Sequence, residues 1–399
     1  MTRRAEIGDR IFAGAAGLMA PVAILAPNGL AVLLALTGIG LIACEPRRLA
    51  LAHVPLVPKA ALGALFAFAA LSSVWAPNID EALSGLQRVL PAAFLGLVAV
   101  DKALDASAEL RARVAHWLLL GFVAAIAVLA AEIASQIVFG FQNSLFAQLF
   151  GPMGASQAFT NRPKTVLAVL LPLAASAAWI RYGWKAALGL AGACVPLLTF
   201  GEAMGAAMAL PVALVGAAFG WFSGRNAGRT VAAASVAAIL LAPAIAQSPP
   251  LESLALRRDI SVSIYHRAAI WDFVGDRIAE KPVLGWGMNA SRNIPNAHET
   301  IPGGVERIPL HPHNFSLQLW LELGGVGAAL ASLALGFLGL GCAGSRMRQA
   351  ALVATLATAL FVASVGYGMW QGWWFATLWL LCAFACTIGR ESLGTKPAS

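Results

Sequence analysis

Residues 313–342 read HNFSLQLWLELGGVGAALASLALGFLGLGC, an apolar run broken by a single carboxylate, Glu322. A helix rises about 1.5 Å per residue, so roughly 20 apolar residues cross the ~30 Å hydrocarbon layer of a bilayer. The apolar residues run on continuously rather than alternating, which selects helices over barrel strands. Comparable runs precede it at 11–26, 29–44, 56–75, 88–101, 115–139, 163–180, 184–200, 203–222 and 230–246, and follow it at 349–366 and 370–389. With 59% hydrophobic and 12% charged residues, the chain reads as an all-α polytopic membrane protein with about twelve transmembrane helices. Backbone polar groups in lipid must be satisfied within helices, so one bundle is expected where a soluble chain would split into domains. The first ten residues, MTRRAEIGDR, and the run behind them have the build of a signal peptide. A second apolar run begins at Leu30, so the first reads as a retained span.

Charge sets the expected orientation. Most of the 27 Lys and Arg residues fall at alternate junctions: Arg3, Arg4 and Arg10; Arg47, Arg48 and Lys59; Lys102, Arg111 and Arg113; Arg181 and Lys185; Arg225 and Arg229; Arg346 and Arg348; Arg390 and Lys396. The positive-inside bias then puts both termini in the cytoplasm and the long polar stretch 247–312 outside, between the ninth and tenth spans. Three parts follow: a bundle of about nine spans over 1–246, an extracytoplasmic loop with an amphipathic helix over 247–312, and three spans over 313–399. The net charge of +8 is scattered rather than gathered with aromatics, which excludes a nucleic-acid surface. Arg88, Arg162 and Lys164 sit near the outer surface, against the bias. Two readings fit them: snorkelling surface charge, or a cationic cradle for an anion such as a lipid-linked phosphate or pyrophosphate.

Little else in the bundle points to chemistry. The five cysteines lie in or at the ends of apolar runs, giving neither a disulfide framework nor a thiolate metal site. Glu132, Glu202 and Glu322 are isolated along the chain and form no proton-relay series. No paired broken helices mark an inverted-repeat transporter. The segment 141–159 reads as a re-entrant or interfacial helix or a loop.

The polar stretch is where charge, rings, prolines and histidines converge. Val262 to about Glu280 reads as an amphipathic helix carrying Ile264, Trp271, Val274 and Ile278 on one stripe, ended by Pro282. Arg267 lies one turn before Trp271; it either packs on that ring or offers its planar fork to a phosphate. PVLGWG, 282–287, is a turn whose glycines permit close backbone approach to a ligand. Residues 288–312, with Arg292, form a long loop of the kind that is functional or mobile. In HPHN, 311–314, Pro312 suits the first turn of a helix, placing His313 at the N-terminal end of a membrane span. The positive end of the helix dipole there disfavours imidazolium, so a neutral ring is available as a general base for a hydroxyl. His311 and His313 lack a third ligand for a convincing metal site. Glu322, about 2.5 turns beyond His313, reads as an internal polar tie. Gly324, Gly325 and Gly327 permit close helix approach.

Taken in order, SIYHRAAIW (263–271), RIAEKPVLGWG (277–287) and HPHNFSLQLWLELGGVG (311–327) resemble the region shared by O-antigen ligases and O-antigen polymerases. The elements are an Arg a turn before a Trp, a Pro-x-x-Gly-x-Gly turn, and a His-Asn opening a helix that runs into Glu-x-Gly-x-x-Gly. The resemblance implies a bacterial inner-membrane protein whose loop and active site face the periplasm. It further implies inverting, metal-independent glycosyl transfer from an undecaprenyl-pyrophosphate-linked glycan, with no cofactor. For a ligase the acceptor is a lipid A–core sugar hydroxyl. By the same resemblance His313 is the base and Arg267 stabilises the departing pyrophosphate, with His311 as a secondary candidate. Asn314 and Trp271 belong to the shared pattern; Arg88, Arg162, Lys164 and Arg292 are added as donor-binding candidates from charge and position. A polymerase or a protein O-oligosaccharyltransferase is compatible with the same pattern. Outside the class, a lipid-linked glycan transporter is the alternative.

Overall fold

The computed structural model describes residues 3–154, 156–201, 203–256, 262–301, 305–342 and 344–388. Glu202, Arg390 and Lys396 lie outside the described residues. Each apolar run of the sequence becomes a helix: α1 (Arg3–Leu25), α2 (Gly29–Cys44), α3 (Leu56–Ser72), α4 (Ile79–Leu104) and α5 (Ala108–Phe139) lead. After the single-turn helix α6 (Leu145–Phe150) come α7 (Gln157–Tyr182), α8 (Trp184–Thr199), α9 (Met204–Ser223) and α10 (Arg225–Leu240). Two short helices, α11 (Ala242–Ala246) and α12 (Pro249–Leu256), lead into the amphipathic α13 (Val262–Glu280). The chain closes with α14 (Phe315–Leu340), α15 (Arg346–Val365) and α16 (Gly372–Thr387). Eight of the described helices are long and apolar enough to cross a membrane, and α2, α8 and α16 are shorter apolar helices. The protein is thus a multi-pass helical membrane protein.

The core is made where small residues let helices close. Gly121 of α5 faces the Gly17 carbonyl of α1, and Gly220 of α9 faces the backbone at Gln349–Ala350 of α15, with no room at either for a side chain. Such contacts substitute for the hydrophobic drive that is missing between helices in lipid. Large apolar residues such as Leu36, Leu214 and Phe222 stay exposed on the outside, as a lipid-facing surface requires.

Two of the isolated carboxylates turn out to be structural. Glu132, fully buried near the end of α5, accepts from the Phe146 amide (2.7 Å) and from Gln136 (2.7 Å). It thereby fixes α6, whose Phe146 and Phe150 rings pack with Phe159. Segment 141–159 is accordingly a folded cap built round a short helix.

The long segment after α13 is also built rather than loose. Trp286, Ala290, Ile294, Ala297 and Ile308 bury against Ile270, Phe273, Val274 and Ile278 of α13, forming a small second core. A two-stranded antiparallel pairing, Thr300–Ile301 with Val305–Glu306, lies within it. Val274 and Ile278 of the expected stripe of α13 are buried, with Ile270 and Phe273 beside them, whereas Ile264 is 47% exposed.

Candidate active site

The site is assembled on a break in α14. Gly324 adopts φ 60°, ψ −163°, so it kinks the helix rather than easing the approach of a neighbouring one, as the glycine cluster suggested. A kink there deprives the carbonyls of Leu321 and Glu322 of their partners four residues on. The 282–287 turn takes those places: the Trp286 amide donates to Leu321 O and the Gly287 amide to Glu322 O, both at 2.8 Å. In exchange the amides of Gly325 and Val326 donate to Pro282 O (2.8 Å) and Val283 O (3.3 Å). Gly285 (φ 70°) and Gly287 (φ 104°) supply the left-handed backbone that brings the turn this close. The Pro-x-x-Gly-x-Gly and Glu-x-Gly-x-x-Gly patterns are therefore two halves of one backbone joint.

Glu322 locks the joint from below. Fully buried, its carboxylate accepts from Ser291 Oγ (2.5 Å), Gln318 Nε2 (3.1 Å), the Asn289 amide (2.9 Å) and Trp370 Nε1 (2.5 Å). Four donors on one carboxylate satisfy a buried charge that would otherwise be prohibitive. It is the internal tie that its position suggested. Asn289 and Asn293 carry the connection to the start of α4 through Glu81 (3.0 and 2.7 Å).

Above the joint stands His313. The helix begins at Phe315 and Asn314 is its N-cap, its Oδ1 accepting from the amides of Ser316 (2.9 Å) and Leu317 (3.1 Å). Pro312 thus lies before the cap rather than in the first turn, because the left-handed His313 (φ 54°) turns the chain into the cap. Non-glycine residues seldom adopt this conformation, and it costs about 1–2 kcal/mol. The His313 Nδ1 lies 2.6 Å from Gly366 O. A carbonyl only accepts, so Nδ1 carries the proton and Nε2 bears the lone pair. Burial pushes the His313 pKa below the ordinary histidine value; the Gly366 carbonyl opposes this, and the charges of Arg267 and His266 add to the lowering. The half-buried ring is therefore neutral, and among the described residues nothing partners its Nε2.

His311 is more deeply set. Buried, 4.3 Å ring to ring from His313, it has the His313 amide 3.1 Å from Nδ1 and the Gly368 amide 3.0 Å from Nε2, and its single lone pair accepts from one of the two. Its pKa is pushed down to about 3, first by burial and then by His313 and Arg267.

The turn between α15 and α16, VGYGMWQ (365–371), organises everything above and was not singled out by sequence. Val365 O takes Arg267 Nε (2.9 Å), Gly366 O takes His313, the Gly368 amide meets His311, the Met369 amide reaches Gln318 (2.9 Å) and Trp370 reaches Glu322. Tyr367 Oη lies 3.1 Å from Thr165 of α7. Burial raises the Tyr367 pKa, with Thr165, Arg162 and Arg267 pulling it back, so both guanidiniums come within electrostatic reach of this hydroxyl.

The cations sort into two groups. Arg267 bonds Val365 O, Ser263 O (3.0 Å) and Ser263 Oγ. Burial lowers its pKa, partly offset by Tyr367. Arg162 lies 5.6 Å over Trp373, itself stacked edge-on to Tyr367, and reaches Asn28 Oδ1 at 3.5 Å. Among the described residues neither guanidinium pairs with a carboxylate. Trp271 joins them, its indole donating to Pro312 O (2.9 Å). Lys164 does not: it is buried, with its ammonium on Phe200 O at 2.7 Å. Arg88 is exposed and bonds Ser84 O of its own helix (3.1 Å), and Arg292 is exposed on the 281–314 segment. Among the described residues no group of three His, Cys, Asp or Glu is placed to hold a metal ion.

The kinked membrane helix, with a histidine just before its N-cap and two arginines that pair with no carboxylate among the described residues, belongs to a multi-pass membrane protein. Residues 153–332 match the family model described as O-antigen ligase. The chain is also similar to two proteins named "Putative polysaccharide ligase". The one from Rickettsia bellii is 38% identical over 126 residues and the one from Rickettsia felis 36% identical over 126 residues. Each match covers 30% of this chain and spans 31% of the relative's length.

Proposed function

We propose that this protein is an O-antigen ligase. It moves a glycan from undecaprenyl pyrophosphate to a sugar hydroxyl of lipid A–core, at the periplasmic face of a bacterial inner membrane. The observation that carries the reading is the His313 ring, held through Nδ1–H by Gly366, beside the Arg267 guanidinium; among the described residues nothing partners His313 Nε2 and no carboxylate pairs with Arg267.

The chemistry asks for little more. The acceptor oxygen attacks the anomeric carbon as its proton passes to His313 Nε2, and the bond from that carbon to the pyrophosphate oxygen breaks. A single displacement inverts the centre. Pyrophosphate leaves with its electron pair, and Arg267, with Arg162 across Tyr367, offsets the growing negative charge in a water-poor site. The leaving group is already a weak base, so the scheme includes neither metal nor nucleotide cofactor. The lipid tail has the apolar flank of the bundle to lie against, and Trp271 and Asn314 hold the entry to α14. In this scheme both termini are cytoplasmic and about twelve helices span the membrane.

The lipopolysaccharide profile of a strain lacking the protein, read beside its pool of carrier-linked glycan, tests this. Loss of the long-chain ladder with polymer accumulating on the carrier is expected. A core bearing a single repeat would instead make it a polymerase, and an intact ladder with under-glycosylated protein an O-oligosaccharyltransferase. Failure of donor to reach the periplasm would make it a transporter.

A further inference from the structure

Resting on that reading, we propose that Tyr367 is a positioning residue, whose hydrogen bond to Thr165 sets the spacing of the two arginines that receive the pyrophosphate. Three consecutive residues of the 365–371 turn have separate duties. Val365 O holds Arg267, Gly366 O holds His313, and the Tyr367 hydroxyl meets Thr165 Oγ1 of α7 at 3.1 Å. Arg162 stands three residues before Thr165 on α7, and residues three apart share a helix face. The Tyr367–Thr165 bond is therefore a direct link between the helix that carries one cation and the turn that holds the other.

The direction of that bond follows from counting protons. Thr165 has one hydroxyl proton, and its oxygen lies 3.0 Å from Asn161 O, a carbonyl that only accepts. Among the described residues neither hydroxyl has any further hydrogen-bond partner. The order that satisfies both runs from Tyr367 O–H to Thr165 Oγ1, and from Thr165 O–H to Asn161 O. The phenol proton is thus committed to α7, and the phenol oxygen has only lone pairs for its other neighbours. Burial raises the Tyr367 pKa, and after Thr165 the groups that lower it are Arg162 and Arg267. An oxygen within reach of both guanidiniums offsets part of the repulsion between two like charges while pairing with neither.

The ring is fixed as well as the hydroxyl. It stands edge-on to Trp373, 4.5 Å between centroids, and tilted on Trp374 at 5.7 Å. Arg162 lies 5.6 Å over the same Trp373 ring. Tyr367 thus reaches Arg162 by two routes, through Thr165 and through Trp373, and only the first needs the oxygen. Tyr367→Phe removes that bond and keeps the rings.

Loss of either partner should have the same effect. With purified protein in native lipid, Tyr367→Phe and Thr165→Val should each lower kcat/KM for a lipid-linked glycan donor about tenfold, the scale of one buried hydrogen bond left half made. The KM for acceptor should not change. The double variant should fall no further than either single one, because the bond is already gone. Thr165→Ser keeps the hydroxyl and should restore transfer to within a few-fold of wild type. Losses that multiply in the double variant, or equal loss in Thr165→Ser and Thr165→Val, would overturn the proposal.

Anion binding read without transfer separates this from the functional assignment. Phenylglyoxal modifies guanidiniums, and inorganic pyrophosphate should protect Arg162 and Arg267 from it with one shared midpoint in the wild type, mapped by mass spectrometry. That midpoint should rise several-fold in Tyr367→Phe and Thr165→Val and keep its wild-type value in Thr165→Ser. Protection unchanged in Tyr367→Phe, or absent or confined to one arginine in the wild type, would refute the spacing role even in a protein that transfers glycan. The expected rise in a protein that transfers nothing would uphold the spacing role and overturn the ligase reading instead.

Discussion

The two ends of the bundle treat positive charge in opposite ways. At one end, where α1 starts and α2 and α4 finish, Arg48 is 2% exposed and pairs with Asp101 (2.8 Å), Glu45 (2.9 Å) and Asp105 (2.7 Å). Lys102, beside it, pairs with Asp9 (2.6 Å) and Glu45 (2.5 Å). At the other end Arg267 and Arg162 rest on carbonyls, an amide oxygen and aromatic rings. Hydrogen bonds to neutral oxygens orient a guanidinium without cancelling its charge. The first arrangement consumes its cations in holding helices together; the second leaves them charged, as the proposed function requires for an anionic leaving group.

The largest effect should come from the base. His313→Ala removes the general base, and loss of roughly 10²–10⁴ in transfer rate is expected with normal membrane insertion, measured by product formation per folded molecule. Removing Arg267 should cost about 10²–10³, the usual scale for losing a group that stabilises developing negative charge. Arg267→Lys should recover little, because a point charge does not reproduce the planar fork. At the paired end the pattern should invert. Arg48→Met strands buried carboxylates, so a destabilisation of about 3–5 kcal/mol should appear in the unfolding midpoint and yield. The surviving folded fraction should keep its specific activity.

Gly324→Ala sharpens the contrast from the backbone side. A methyl there meets the Val283 carbonyl at positive φ, so a loss of stability of at least about 1–3 kcal/mol is expected, along with disturbance of the 282–287 turn. The smallest effect at neutral pH is that of His311. Its pKa is about 3 when folded against an ordinary 6.5, so between these values the unfolded chain binds a proton that the folded one does not. Stability should be unaffected above pH 6.5 and fall as pH drops from 6.5 toward 3. His311→Asn should remove that part of the slope in an acid-denaturation series.

The legible and the illegible parts of the molecule differ in kind. Helix positions follow from uninterrupted apolarity, and all twelve expected runs are helices. His313, Arg267 and Trp271 stand out because polar and charged residues in such a chain need reasons. The 365–371 turn escaped because hydropathy counts Val, Gly, Met and Trp as membrane-compatible: only Tyr367, Gly368 and Met369 separated the runs placed at 349–366 and 370–389, although the helices end at Val365 and begin again only at Gly372. Its glycines and its ring side chains with polar handles were the available sign. Lys164 was grouped with Arg162 by charge, yet residues two apart on a helix point to different faces, and Lys164 turns to Phe200. The role of Gly324 was hidden because a glycine that kinks and a glycine that packs look alike in one dimension.

The most direct test of the account is a single-turnover assay with the purified protein in native lipid, a polyprenyl-pyrophosphate-linked glycan and a lipid A–core acceptor. Wild type, His313→Ala, Arg267→Ala and Arg48→Met would be compared at equal folded concentration, each with and without chelator. The account predicts glycosylated acceptor from wild type and Arg48→Met with or without chelator, and from neither site variant. Wild-type turnover by folded His313→Ala, or abolition of wild-type turnover by chelator, would contradict it.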